Sequence, residues 1–293
     1  VFTKHSEDPV PLRGMMFGVL SSTDVAEAAI RSKFTSTELR ALITGQPQDA
    51  ALGFIHYMRV EPSVVHLGLS RGLDAIRAEF EKYTGPDAEE ALECMRYVLD
   101  EKAGSSLKTF QGGLTRDIGR NGESLADFVA HPNSQTARLE IAHVASIRIY
   151  STAAYKVLNG YFREAEQTEP HPFPITIAFL REALSKLRAV GAQEDTQDDK
   201  QETRLDLWRG LRDTEVSDTF MQHGGTELAP MSTTTKLEVA VQYSSAATSL
   251  LFKLRTEGFM QRGASIQFLS AFPSEEEVLY PPLTFLKPTG KTL

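Results

Sequence analysis

Cysteine is almost absent from this chain of 293 residues, in which Cys94 is the single Cys. An intrachain disulfide and a zinc site built from cysteines are therefore excluded. This usage slightly favours a reducing compartment such as the cytoplasm, although a secreted protein without disulfides would look the same. The chain begins with Val1 rather than Met, so we expect a processed product or a piece of a longer protein. The localisation is thus not determined by the sequence.

Positive charge is also scarce, because 31 Lys and Arg stand against 39 Asp and Glu, for a formal net charge of −8. Such a chain has no overall positive field for a phosphate backbone, so we do not expect nucleic acid as a main partner. An apolar run of 18 residues is missing, so we predict no membrane span. The seven His show no metal-binding spacing such as H-E-x-x-H, and we expect no metal.

The pattern of apolar residues changes along the chain. Helical spacing recurs in four clear stretches, at 63–83, 87–100, 134–165 and 174–190. Alternating or short apolar runs typical of strands follow at 204–209, 249–254, 265–269 and from residue 278, with one helix predicted over 236–243. Helices first and strands later indicate an α+β fold. We divide the chain into an N-terminal helical region, 1–124, and a second region, 125–293.

Three groups of polar residues stand out in the last third. Arg209-Gly210 ends a predicted strand, and a glycine there lets a ligand approach the backbone closely. Four hydroxyl residues, Ser232 to Thr235, precede the predicted helix. The triplet Glu275 to Glu277 leads into an apolar strand, although adjacent carboxylates repel one another. If this segment is extended, Glu275 and Glu277 point to the same side and form a carboxylate pair in one cleft.

Each group alone has an ordinary structural explanation: a surface ion pair, a set of helix-capping hydroxyls and a solvated strand end. Their occurrence in this order is more specific. Arg-Gly on a strand, Ser-Thr-x before a helix and Glu-x-Glu before a strand together resemble the arginine/serine/glutamate class of mono-ADP-ribosyltransferases. The segments 148–155 and 158–163 look like the helix that opens the vertebrate and bacterial-toxin type of this domain. The resemblance covers about residues 125–293, which we therefore take as the catalytic domain.

The resemblance implies a fold of two packed, roughly perpendicular β-sheets with flanking helices, and NAD bound between the sheets as the consumed substrate. Arg209 would hold the NAD pyrophosphate bidentately, and Gly210 would offer its backbone to the nicotinamide amide. Ser232, with Thr233 beside it, would bind and orient the catalytic carboxylate.

The two outer glutamates would divide the chemistry. Glu277 would accept a hydrogen bond from the 2′-hydroxyl of the nicotinamide ribose and stabilise an oxocarbenium-like transition state. Glu275 would bind or deprotonate the incoming nucleophile. Because a carboxylate pairs bidentately with a guanidinium, the resemblance favours arginine as the acceptor.

Two loops complete the implied site. The segment Leu269–Ser274, with Phe272 and Ser274, would contact the protein acceptor. The segment 258–263, with Phe259 and Arg262, would correspond to the loop that folds over NAD. Two positions depart from the usual pattern, since Thr234 replaces a second Ser and Trp208 stands where Tyr is commoner. Thr234 keeps the hydroxyl, so neither change argues against the resemblance.

We therefore expect an NAD-dependent mono-ADP-ribosyltransferase that modifies an exposed arginine of a protein. One alternative uses the same site with water as acceptor, which would make the chain an NAD glycohydrolase. Another places the function in an interaction module at residues 21–100, with a degenerate NAD-binding domain behind it. The four motif residues are all present, which argues against degeneracy: Arg209, Ser232, Glu275 and Glu277. The sequence does not determine the oligomeric state.

Overall fold

The computed structural model describes seven stretches of the chain: 54–55, 57–105, 115–163, 168–197, 206–246, 248–256 and 262–291. Within them, ten α-helices are α1 Pro62–Arg71, α2 Leu73–Lys82, α3 Ala88–Asp100, α4 Leu125–Ala130, α5 Pro132–Thr136, α6 Ile141–Tyr150, α7 Tyr155–Arg163, α8 Pro174–Gln197, α9 Asp218–His223 and α10 Leu237–Ser244. The seven strands are β1 Leu207–Arg212, β2 Gly225–Glu227, β3 Met231–Thr234, β4 Ser249–Leu254, β5 Ala264–Ser265, β6 Glu277–Tyr280 and β7 Thr284–Leu286. The predicted α+β class is confirmed.

Turns divide two of the predicted helical stretches. The stretch at 63–83 forms α1 and α2, separated by Gly72, whose φ of 57° favours glycine. The stretch at 134–165 contains α5, α6 and α7 rather than one helix. None of the helices in the described part of the chain is both long and apolar enough to cross a bilayer.

One hydrophobic core extends from the first helices into the sheet. Helix α6 lies at its centre, with every residue from Ala142 to Tyr150 buried, and packs against α2, α3, α4 and α8. The same core includes Leu269, which lies before β6, and Leu279 on that strand. Burial of this continuous apolar surface is the main source of stability. Helices α1 to α3 thus support the same core as the strands, and the boundary at residue 124 stays a prediction.

The sheets bring the polar motifs onto neighbouring strands. Five antiparallel strands pair in the order β4-β1-β3-β6-β5, and β2 pairs with β7 in a second sheet. In the β3–β6 pair, Thr234 lies opposite Glu277 and Ser232 opposite Leu279. Strand β1, which carries Arg209, is the other neighbour of β3. The fold therefore places the three motifs side by side.

Gly210 has a packing role that the sequence interpretation missed. A Cβ atom added to it would lie 1.9 Å from the carbonyl oxygen of Ala240 and 2.8 Å from the backbone nitrogen of Ser244. Both atoms belong to α10, which packs across β1. A larger residue would push this helix away from the sheet. Close approach of the helix alone thus accounts for the glycine.

Candidate active site

Arg209 enters the site as half of a buried ion pair. Its Nη2 donates to Oε2 of Glu227 at 2.9 Å, and its Nη1 donates to the carbonyl oxygen of Ser232 at 2.7 Å. Glu227, at the end of β2, is only 2% exposed. Since a guanidinium has five N–H groups, these two bonds leave three donors for a ligand. Sequence reasoning missed Glu227, although a lone acid before the apolar residues Leu228 and Ala229 indicates a paired, buried charge.

Glu277, the first residue of β6, is a buried carboxyl group. Its side chain accepts hydrogen bonds from the side chains of Ser232 and Ser270. Burial raises the pKa of Glu277 to about 7; the charge of Glu275 also raises it, whereas the two serines and Arg209 oppose the shift. The structure thus brings Ser232 and Glu277 together as expected. Ser270 is an additional hydrogen-bond donor that the sequence did not indicate.

The triplet of glutamates is not extended, so the extended conformation considered from the sequence is wrong. Residues Pro273–Glu275 form a turn of 3₁₀ helix, and Glu276 has a φ of 49°. Proline fits the first position of this turn because it lacks an N–H and has a fixed φ. Glu275 and Glu277 nevertheless lie close enough for one charge to affect the pKa of the other. The carboxylate pair therefore results from this turn and not from the alternation of side chains along a strand.

Glu275 lies at the rim of the site against a phenol. The hydroxyl of Tyr243, on α10, donates to Oε1 of Glu275 at 2.7 Å. Burial raises the pKa of Glu275, and the hydrogen bond from Tyr243 opposes this shift. The carboxyl group is half-buried, in contrast to that of Glu277. Tyr243 was predicted only as the end of a helix, and nothing in the sequence marked its contact with Glu275.

The threonines that follow Ser232 bond to the Glu275–Val278 segment. Thr233 donates its one hydroxyl proton to the carbonyl oxygen of Val278 at 2.7 Å, whereas Ser232 donates to the Glu277 carboxyl group. Thr234 donates to the carbonyl oxygen of Glu275. These hydroxyls therefore fasten β3 to the turn and to β6.

The backbone of residues 269–271, just before the turn, is hydrogen-bonded to residues that are distant in the chain. Arg148 donates to the carbonyl oxygen of Leu269 at 2.9 Å, and Arg120 donates to that of Ser270 at 2.8 Å. The N–H of Asp117 donates to the carbonyl oxygen of Ala271 at 2.7 Å. The N–H of Ala271 in turn donates to the hydroxyl of Ser151 at 2.8 Å. This backbone is thus fixed from outside the sheet.

A buried ion pair between Arg148 and Asp117 supports these hydrogen bonds. Arg148, on α6, donates to both carboxylate oxygens of Asp117, at 2.8 and 3.2 Å. Tyr97, on α3, donates to the same carboxylate, and the guanidinium lies 3.9 Å from the centre of the Phe128 ring. Each of these groups is buried. The segment 148–155, picked out by the resemblance, thus contributes the side chain that connects α3 to the loop before Glu277.

The remaining predicted site residues lie around this centre. Phe272 is half-buried, and Ser274 is exposed, with its carbonyl oxygen accepting a bond of 2.9 Å from Lys236. Arg262 is half-buried just before β5, whereas Phe259 lies outside the described residues. The part of the chain that the structure describes contains no group of three or more His, Cys, Asp or Glu suited to a metal ion.

Comparisons with known proteins identify the family. Among curated protein sequences, none is significantly similar to this chain. Similar solved structures include the ADP-ribosyltransferase HopU1 of Pseudomonas syringae pv. tomato, with 19% identity, a TM-score of 0.40 and coverage of 69% of this chain and 89% of that one. They also include the Vis toxin, an ADP-ribosyltransferase from Vibrio splendidus, with 20% identity, a TM-score of 0.38 and coverage of 54% and 71%. The sequence model of the NAD:arginine ADP-ribosyltransferases matches residues 116–292, more than half of the chain. The chain therefore belongs to the NAD:arginine ADP-ribosyltransferase family.

Proposed function

We propose that this NAD-dependent ADP-ribosyltransferase transfers ADP-ribose to the guanidinium group of an arginine on a protein acceptor. The proposal rests on one observation: the two carboxyl groups of the pair lie in different environments. Glu277 is buried among hydroxyl donors, whereas Glu275 is half-buried at the rim. An inner carboxylate suits the ribose of NAD, and an outer one suits a nucleophile that arrives from solvent.

In this proposal, Arg209 binds the pyrophosphate of NAD through the N–H groups that Glu227 and Ser232 leave available. The ion pair with Glu227 keeps the guanidinium in one orientation before NAD arrives. The backbone of Gly210 binds the nicotinamide amide. Arg262 and Phe259 belong to the segment that covers the bound NAD.

Glu277 acts on the nicotinamide ribose. Its ionised carboxylate accepts a hydrogen bond from the 2′-hydroxyl while the bond between C1′ and the nicotinamide nitrogen breaks. The electron pair of that bond goes to the nicotinamide ring, which leaves neutral, and positive charge develops on the ribose. A fixed anion beside this charge contributes on the order of a hundredfold to a thousandfold in rate. Ser232 and Ser270 hold the carboxylate in place.

Glu275 acts on the acceptor. One nitrogen of the acceptor guanidinium attacks C1′ and forms the new C–N bond. The proton lost from that nitrogen goes to Glu275, which also pairs with the remaining N–H groups of the guanidinium. Since this carboxyl group is half-buried, water can reach it as well. Hydrolysis of NAD at the same site, the NAD glycohydrolase reaction, is the second candidate.

The test compares two conservative variants. We expect Glu277→Gln to abolish both nicotinamide release from NAD and transfer to agmatine, a small arginine-like acceptor. We expect Glu275→Gln to lose transfer first and to keep part of the hydrolysis. Glu89→Gln, an exposed position on α3, serves as the control and should behave like the parent protein. Equal loss of both activities in Glu275→Gln would contradict the division of labour.

A further inference from the structure

The contact between Tyr243 and Glu275 lies where the acceptor must bind. Tyr243 stands in the last turn of α10, and its side chain is 44% exposed although its hydroxyl is bonded to Glu275. The bond occupies Oε1 of the carboxylate. Among the described residues, Oε2 of Glu275 has no protein donor. One oxygen is therefore held by the fold, and the second is left for a ligand.

We propose that Tyr243 is the acceptor-specificity residue of this enzyme, because its phenol fixes the Glu275 carboxylate in the orientation that pairs with an arginine guanidinium. The inference rests on the proposed function and adds a residue to it. Tyr243 acts through Glu275, so it is a positioning residue rather than a catalytic one.

The chemistry of a phenol suits this position. Burial and the neighbouring charge of Glu275 raise the pKa of Tyr243, so the hydroxyl remains protonated and able to donate throughout the neutral range. Burial raises the pKa of Glu275, and the donated hydrogen bond counteracts this. Without the phenol, the pKa of Glu275 would rise further, and a larger fraction of this carboxyl group would be protonated at any given pH. A protonated carboxyl group neither pairs with a guanidinium nor accepts its proton.

The other groups near Glu275 do not supply this function. Glu277, across the pair, is a like charge that disfavours ionisation. Lys236 is bonded to the carbonyl oxygen of Ser274 and to the carboxylate of Glu276, at 2.9 and 3.1 Å. Tyr243 is therefore the side chain whose hydrogen bond favours the charged form of Glu275.

The ring of Tyr243 also bears on the choice of acceptor. Tyr243 is 44% exposed, and a second exposed tyrosine, Tyr155 at the start of α7, is near enough to influence the pKa of Tyr243. A guanidinium is planar and stacks on aromatic faces, whereas a lysine ammonium is a compact, strongly hydrated charge. The partly exposed ring of Tyr243 beside a fixed carboxylate thus favours arginine over lysine as the acceptor.

The experiment removes a single hydroxyl. In Tyr243→Phe we expect kcat/KM for agmatine to fall about tenfold, because a hydrogen bond to a charged group is lost. Nicotinamide release without acceptor should stay within about twofold of the parent value, since Glu277 keeps its own hydrogen bonds. The acidic limb of the pH profile for agmatine transfer should move to higher pH, because the pKa of Glu275 rises. Tyr83→Phe removes a phenol hydrogen bond to the carbonyl oxygen of Pro86, far from the site, and should change neither activity.

Two results would overturn the role of Tyr243 and leave the proposed function standing. In one, Tyr243→Phe transfers to agmatine with the parent efficiency and pH profile. In the other, transfer and hydrolysis fall equally, which would place the effect on the whole site. Failure of the proposed function has a different signature: the parent protein releases nicotinamide at a rate that agmatine does not change. That result would also contradict Tyr243 as a residue that selects arginine through Glu275.

Discussion

The two halves of the loop before Glu277 are held in opposite ways. Residues 266–272, which include Ser270, are held by Arg148 of α6, by Ser151 just after that helix and by Asp117 in the segment before α4. Residues 273–276 are half-buried or exposed and are held by Lys236, by two threonine hydroxyls and by Tyr243. The inner half, residues 266–272, thus depends on the core, and the outer half, residues 273–276, depends on surface contacts. In the proposed function, this difference gives a rigid carboxylate for NAD beside a more adaptable surface for the acceptor.

The largest effect should come from breaking the buried ion pair behind the inner half. Asp117→Asn keeps the shape of the side chain and tolerates the positive φ of 52° at this position. It leaves the charge of Arg148 buried without a carboxylate, which costs about 3–5 kcal/mol. Urea unfolding should show this loss of stability. Hydrolysis and transfer should fall together because the backbone of Leu269 loses its support.

A surface ion pair of the same residue types provides the control. Arg77 and Asp100 pair on α2 and α3 with both side chains about a third or more exposed. Asp100→Asn should therefore cost less than about 1 kcal/mol. If both variants destabilise the protein equally, the buried network has no special role in holding the inner half.

The second effect concerns the pH dependence of stability. The folded state raises the pKa of Glu277 from its usual 4.5 to about 7. The stabilisation from the neutral carboxyl group is fully present below pH 4.5 and is lost as the pH rises through 7, at a total of about 3 kcal/mol. Glu277→Gln stays neutral, so its melting temperature should exceed that of the parent protein increasingly above pH 4.5. Glu79, whose pKa is also raised to about 7, is present in both proteins and cancels in the difference. Melting temperatures that change in parallel for the two proteins across this pH range would contradict a raised pKa of Glu277.

The third prediction tests whether the hydroxyl of Ser270 positions the carboxyl group of Glu277. Its hydroxyl accepts the N–H of Phe272 at 3.1 Å and directs its own proton to Glu277. Ser270→Ala should lower nicotinamide release and agmatine transfer by about the same tenfold factor. Because the lost bond favours the ionised form of Glu277, the acidic limb of NAD hydrolysis should move to higher pH.

Ser134 offers a matched serine for this test. It is as buried as Ser270, and its hydroxyl donates to the carbonyl oxygen of Phe128 at 2.7 Å rather than to Glu277. Ser134→Ala should lose similar stability but keep the parent pH profile. A profile that shifts in neither variant would mean that Ser270 does not affect Glu277.

The smallest effect should come from the outer half. Lys236→Met removes an exposed ion pair with Glu276 and a hydrogen bond to the carbonyl oxygen of Ser274. Stability should change by less than about 1 kcal/mol. Hydrolysis of NAD, measured as nicotinamide release, should stay within about twofold of the parent value. A loss as large as that in Ser270→Ala would show that the outer half also positions Glu277.

The motif residues could be picked out from the sequence because each stands in a short local pattern. The order of these patterns carried the family resemblance, and the structure places Arg209, Ser232 and Glu277 on the neighbouring strands β1, β3 and β6. The change from helical to alternating periodicity predicts the α+β class in the same way. These features are local in sequence, so the chain displays them directly.

The partners of the residues that support the site could not be predicted, because only the tertiary fold brings those partners together. Arg148 lies 121 positions before Leu269, and Glu227 lies 18 positions after Arg209. Ser270 and Tyr243 are single polar side chains without a periodic pattern. Strand alternation also could not reveal the turn at Pro273, since the apolar pattern begins only after Glu277. Tertiary packing, rather than local secondary-structure propensity, determines where these side chains lie.

The most direct test of the central claim measures nicotinamide release from NAD by the parent protein with and without agmatine, alongside Glu277→Gln. We predict that agmatine accelerates the release, that ADP-ribosylated agmatine accumulates in step with it, and that Glu277→Gln shows neither. Release that ignores agmatine would contradict arginine as the acceptor. Release that persists in Glu277→Gln would contradict the assignment of this carboxylate to the chemical step.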